Sequence, residues 1–185
     1  MVGSEGGPPK QLTTEPSNDA RPSFSRDGRW IYFRSDRSGS QQIWKIPSSA
    51  PFRPAVQLTH NGGYDVDEAP DSKLLYYTKS QGGGLWSMPV EGGEGTPVLE
   101  QVGSGLWALA ENGIYYLDVA ARSPEGAAPL MWFSFATHKL VQVGAVRKPI
   151  IAVTPTLSVT TDGRRIAWAQ IDRQQSEIML IDNFR

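Results

Sequence analysis

The chain has no cysteine, which excludes disulfides, thiolate catalysis and Cys-ligated zinc. Histidine is nearly as scarce. Only His60 and His138 occur, and no Gly-x-Ser-x-Gly is present, so a Ser-His-Asp centre has little to be built from. Excess charge is also missing, with 18 Lys and Arg against 19 Asp and Glu and a net charge of −1. That balance argues against nucleic-acid binding and against a polybasic membrane-surface segment. No apolar run is long enough for a transmembrane helix, so no membrane insertion is expected. Residues 1–10 are Gly- and Pro-rich without an apolar stretch, and no signal peptide is expected there. The compartment, periplasmic or cytoplasmic, is left to the parent context.

What is abundant is turn residues and aromatics: 19 Gly, 14 Pro and six each of Trp, Tyr and Phe in 185 residues. Many turns with aromatic and β-branched runs between them predict an all-β protein. The runs repeat. Ile43-Trp44-Lys45-Ile46-Pro47 returns as Leu85-Trp86-Ser87-Met88-Pro89. Turn pairs precede apolar strands at Asp27-Gly28, Asp71-Ser72, Asn112-Gly113 and Asp162-Gly163. A separate marker has its apolar centres at Leu12, Leu58, Leu99 and Val143. Asp-Gly and Asn-Gly suit hairpin positions that need φ > 0. Trp30, Ile31, Tyr32 and Phe33 are consecutive, which suits a sheet covered on both faces. Four-stranded units of about 40–45 residues, each packed between neighbours, describe the blades of a β-propeller. The spacing predicts a single domain of four four-stranded antiparallel blades. Their approximate spans are 14–59, 60–100, 101–144 and 145–185, with 9–13 as a closing strand.

The segments Leu12-Thr13, Pro22-Ser23-Phe24-Ser25-Arg26-Asp27-Gly28, Ser35-Asp36-Arg37 and Ile43-Trp44 resemble the TolB-type repeat, the bacterial WD-like propeller module. The likeness is close in the first unit and graded in the others. The run from Lys79 to Glu91 and the ending from Ile178 to Arg185 also resemble the propeller half of bacterial winged-helix regulators. Neither a winged helix nor a membrane span occurs in this chain, so transcriptional regulation would belong to a parent protein.

The chain opens on the last strand of a unit and stops after the third strand of the fourth. Gln11-Leu12-Thr13 is therefore expected to pair with the strand around Met179. Three assemblies follow: a closed four-bladed monomer, a homodimer completing an eight-bladed ring, or half of a longer propeller.

In a propeller, the loops leading into each blade gather on one face around the axis. Here they are 15–21, 64–68, 103–107 and 148–154. From them Asp19, Arg21, Asp67, Glu68 and Trp107 are expected to form a recognition face, with Trp107 partly exposed. Asp65-Val66-Asp67-Glu68 has hard oxygen donors at alternate positions but no EF-hand spacing, and a solvated loop between blades is the simpler expectation. Trp30, Trp44, Trp86 and Trp168 are expected between blades, both histidines on the surface, and Asp36-Arg37 as a loop-anchoring ion pair. No catalytic residue, metal or cofactor is assigned. The expected role is a non-catalytic interaction or ligand-sensing module that binds a protein or small ligand on its loop face. The alternative is a propeller hydrolase or lyase using channel carboxylates and a metal.

Overall fold

A computed structural model describes residues 1, 5–49, 53–80, 83–150 and 156–171. Their regular structure is all β, in sheets that follow the chain as antiparallel meanders. The first sheet holds β1 (Ala20–Phe24), β2 (Trp30–Ser35), β3 (Gln42–Pro47) and β4 (Val56–Gln57). The second holds β5 (Val66–Glu68), β6 (Leu74–Thr78), β7 (Leu85–Pro89) and β8 (Thr96–Leu99). The third holds β9 (Trp107–Ala110), β10 (Gly113–Leu117), β11 (Ala128–Ser134) and β12 (Leu140–Val146). In the fourth, the described residues form the pair β13 (Leu157–Val159) and β14 (Ile166–Trp168). A bridge between Ile150 and Gln170 accompanies it.

Local chemistry explains why the first hairpin of a blade repeats. The carboxylates of Asp27, Asp71 and Asp162 each accept the backbone N–H two residues on, at 2.9–3.0 Å. This side-chain turn leaves the next residue in the left-handed region. Gly28 has φ 70°, Ser72 φ 56° and Gly163 φ 69°. The third blade departs from this expectation. Gly113 pairs with Ala110 across a turn shorter by two residues, so it is the first residue of β10. Its lack of a side chain is needed because a Cβ there would collide with the Phe133 carbonyl and the Trp132 indole. Asn112-Gly113 is a site of close strand approach, with no φ > 0.

The cores lie between blades. Tyr32, Ile43 and Leu58 of the first blade meet Val66, Leu75, Tyr77 and Met88 of the second. Tyr76, Leu85 and Leu99 meet Trp107, Ile114 and Tyr116 of the third. Leu106, Leu117, Leu130 and Val146 meet Leu157 of the fourth. Ile43, Leu75 and Ile114 are wholly buried, and each such side chain contributes about 2 kcal/mol of apolar transfer energy. Trp30 and Trp86 stand against the cluster between the first and second blades. Among the described residues Trp44 packs with Leu12 on Ile31, Phe33 and Ile46 of its own blade, and Trp168 is 42% exposed. That tryptophan is not enclosed between blades as expected.

Residues 11–14 form no strand. Leu12 packs instead on Ile31, Phe33 and Ile46 of the first blade. Met179 lies outside the described residues, as does the rest of 172–185.

Asp36 and Arg37 differ from expectation as well, because they hold separate partners. Arg37 pairs with Asp19 at 2.9 Å and Glu15 at 3.4 Å, and its guanidinium lies 5.1 Å from the rings of both Phe33 and Trp44. Asp36 accepts the Asn18 amide at 2.8 Å. Together they fasten segment 15–19 to the β2–β3 hairpin, which sets the path into β1.

Candidate functional site

The innermost strands of the blades, β1, β5, β9 and β13, wall one central cleft of about 530 Å³. A smaller cleft of about 270 Å³ adjoins it and is lined by Arg21, Asp65 and Gly105. Ser23, Asp67 and Trp107 belong to both, so these three side chains mark the junction.

The mouth of this channel is tied together blade by blade. Arg21 places its guanidinium 2.8 Å from an oxygen of Asp65. Asp65 accepts the Gly105 amide on its other oxygen at 2.6 Å. The Gly105 carbonyl in turn accepts the Thr156 amide at 2.7 Å. One buried carboxylate thus links three consecutive blades, and a backbone bond adds the fourth. The link needs Arg21 to adopt φ 55°, at a register shift between Ala20 and Ser23 in β1. A bulge of this kind re-aims a side chain, here into the neighbouring blade.

Alternation along β5 sends its carboxylates to opposite sides. Glu68 is buried and points back to the first blade, where it accepts the Tyr32 hydroxyl at 2.9 Å. Burial, together with the adjacent Glu68 carboxylate, holds the Tyr32 phenol well above its ordinary range, so it stays a donor. The Arg26 guanidinium donates to the Glu68 carbonyl at 3.3 Å. Asp67 faces the channel, where water reaches it along the axis while protein crowds it from the sides. This desolvation raises its carboxyl to about 6, against the opposing pull of Arg26 and with a further push from Asp65.

The acidic run is therefore no solvated loop. Its carboxylates diverge: Asp65 to Arg21, Glu68 to Tyr32 and Asp67 to the channel. Among the described residues no three His, Asp or Glu side chains converge to hold a metal ion.

Of the residues expected to form a recognition face, Arg21, Asp67 and Trp107 line the smaller cleft together. Glu68 contributes to the larger one but spends its carboxylate on Tyr32. Asp19 is committed to Arg37. Trp107 is only 6% exposed, because its ring is packed into the core between the second and third blades. Both histidines are exposed and line outer grooves. Two channel groups escaped the sequence. Arg26 sits just past β1, and Phe24 is 59% exposed in the larger cleft. Register gives no signal for it, since Phe24 opposes Ile31 as the buried Glu68 opposes Leu75.

No known family profile matches the chain. A stretch of 42 residues is 43% identical to part of an uncharacterized Agrobacterium fabrum protein, Atu1656, covering 23% of this chain and 14% of that relative. TolB from Acinetobacter baumannii superposes with a TM-score of 0.68 at 14% identity, over 90% of this chain and 41% of TolB. The fold is that of a TolB-like β-propeller. Oligogalacturonate lyase from Vibrio parahaemolyticus superposes with a TM-score of 0.61 at 15% identity, over 75% of this chain and 44% of the lyase. The chain thus spans less than half the length of either structure. Similarity at this level establishes the propeller fold and leaves function to the site. It gives no support to the likeness with winged-helix regulators.

Proposed function

We propose that this propeller is a non-catalytic recognition module that binds a protein segment or small ligand at the channel mouth. The observation carrying this reading is the junction of Asp67 and Trp107, shared by both clefts and flanked by Arg21, Arg26 and Phe24. It combines an open carboxylate, two cations and an exposed aromatic ring on a frame cross-linked through Asp65. Rigid frames of this kind limit the ordering cost of binding. The ionisable groups around this junction also hold blades together, Arg21 with Asp65, Arg26 with the Glu68 carbonyl and Glu68 with Tyr32, which leaves Asp67 as the open charge. The test uses the chain as bait beside D67N and F24A, with thermal-shift screening of small ligands in parallel. A partner or ligand retained by the parent chain and weakened at least tenfold by both substitutions supports the reading. Retention by both variants overturns it.

A second reading has one specific observation in its favour. A carboxyl raised to about 6 in a channel is suited to proton transfer near neutral pH, and solved neighbours include oligogalacturonate lyase in complex with manganese. Release of shorter uronides from oligogalacturonate with manganese, lost in D67N, would establish a lyase and displace the module.

A further inference from the structure

A larger concavity than the channel clefts lies at the outer boundary of the second and third blades, with a volume of about 850 Å³. Its walls are aromatic. Phe135 stacks on Tyr76 at 5.5 Å, and Phe133 meets Phe135 edge-on at 6.4 Å. Asp71 and Glu111 stand among the lining residues and are exposed, and among the described residues neither meets a Lys or Arg side chain.

The repeat shows what a boundary of this kind holds elsewhere. In the first blade, Lys45 stands opposite Tyr32 across β2 and β3. Its ammonium lies 4.8 Å from the Trp30 ring and donates to the Val90 carbonyl and the Glu91 carboxylate, both at 3.0 Å. With Lys45 in place, about 200 Å³ of that groove remains open. The register-equivalent pair in the second blade is Tyr76 and Ser87. In the third it is Tyr115 and Trp132, whose rings are 6.4 Å apart. The position is thus filled by a long cation in one blade and by an indole in another. Of these three blades only the second places a small side chain there, and that is where the wide groove opens.

We propose that this groove receives the ammonium and apolar stem of a lysine from a partner polypeptide, in the place that Lys45 fills one blade earlier. The stem lies along Tyr76 and Phe135, and the charge meets the π faces and the Asp71 and Glu111 carboxylates. A cation held over an aromatic face is a device this chain already uses: Arg34 lies 4.0 Å over Tyr64 and Lys79 lies 3.2 Å over Trp86. The space exceeds what one side chain occupies, which points to a peptide rather than a free amine. Negative groove and positive ligand supply the complementarity that sets specificity.

The experiment titrates the full chain with acetyl-Leu-Lys-Leu-amide, acetyl-Leu-Gln-Leu-amide and n-butylamine, followed by NMR shifts around Phe135 and His138. The lysine peptide is expected to bind at least tenfold more tightly than the glutamine peptide and n-butylamine. S87K, which installs the missing lysine, is expected to weaken the peptide at least tenfold while preserving the fold, as Lys45 does in the first blade. D71N/E111Q keeps the Asp71 turn acceptor and is expected to weaken binding similarly. Equal binding of the two peptides, no binding at millimolar concentration, or unchanged binding in folded S87K would overturn the proposal. Equal binding of n-butylamine would overturn the polypeptide source. None of these outcomes bears on the channel, because the variants leave its lining residues intact.

Discussion

Arg21 reaches from a left-handed backbone in the first blade to Asp65 in the second, at φ 55° and 2.8 Å. The strained residue and the buried carboxylate support each other, since the bulge aims the guanidinium and the ion pair holds the bulge. Removing the cation by R21A leaves Asp65 buried and under-compensated, at a cost of about 3 kcal/mol. R21G loses the same pair but relieves the left-handed backbone, so it should be milder by about 1 kcal/mol. Urea midpoints for the two variants check this order, and R21A equal to the parent chain would disprove the role assigned to the pair.

Asp67 sets a pH dependence opposite to that of a salt-bridged aspartate. Its folded carboxyl titrates at about 6, above the ordinary value of 3.8. The folded state therefore holds the proton more firmly than the unfolded chain does. The resulting stability is fully present below 3.8 and is lost as pH rises through about 6. Across this window D67N should flatten the contribution and raise the melting temperature at pH 7 relative to the parent. Calorimetric scans from pH 4 to 7 test it, and parallel curves for the two proteins would refute it.

Ser72 occupies the turn position held by glycine in the first and fourth blades, at φ 56° against 70° and 69°. S72G should stabilise the chain by about 0.5–1 kcal/mol, the strain of a left-handed side chain less the entropy of an added glycine. Thermal unfolding gives the answer directly. A loss of stability would show that the Ser72 side chain contributes more than its backbone costs.

Gly113 is needed for space, whereas Gly28 and Gly163 are needed for φ > 0. A Cβ there would strike the Phe133 carbonyl in the adjacent strand, so G113A forces β10 and β11 apart and costs about 2 kcal/mol. Gly144 is the control, because its φ is not positive and a Cβ there meets nothing closer than 3.9 Å. Equal losses in the two alanine variants would argue against the close-approach role.

The blade plan is legible in the sequence because turn chemistry is local. Asp27, Asp71 and Asp162 each cap their own hairpin through a bond two residues away, and no distant partner is needed to read it. The site is less legible because its residues act across blade boundaries. Whether Asp65, Asp67 or Glu68 faces the channel depends on strand phase and on partners 36 to 44 residues away, Tyr32 and Arg21 among them. Trp107 looked accessible beside Gly103-Ser104-Gly105, yet the third blade turns its ring into the core. Phe24 went the other way, apolar in sequence and open in the channel.

The cross-sheet hydrogen bonds found among the described residues connect blades that are neighbours in sequence. Among the described residues the polar links thus run from each blade to the next. The joints are unequal, since the first two blades share bonds through Ser23, Arg26, Tyr32 and Lys45. The second and third are joined by the Asp65–Gly105 bond and apolar packing. That second joint therefore rests mostly on apolar packing, and its outer lip is the aromatic groove. An occupant seated there would touch both blades at once and add polar contacts to a joint that has few of its own.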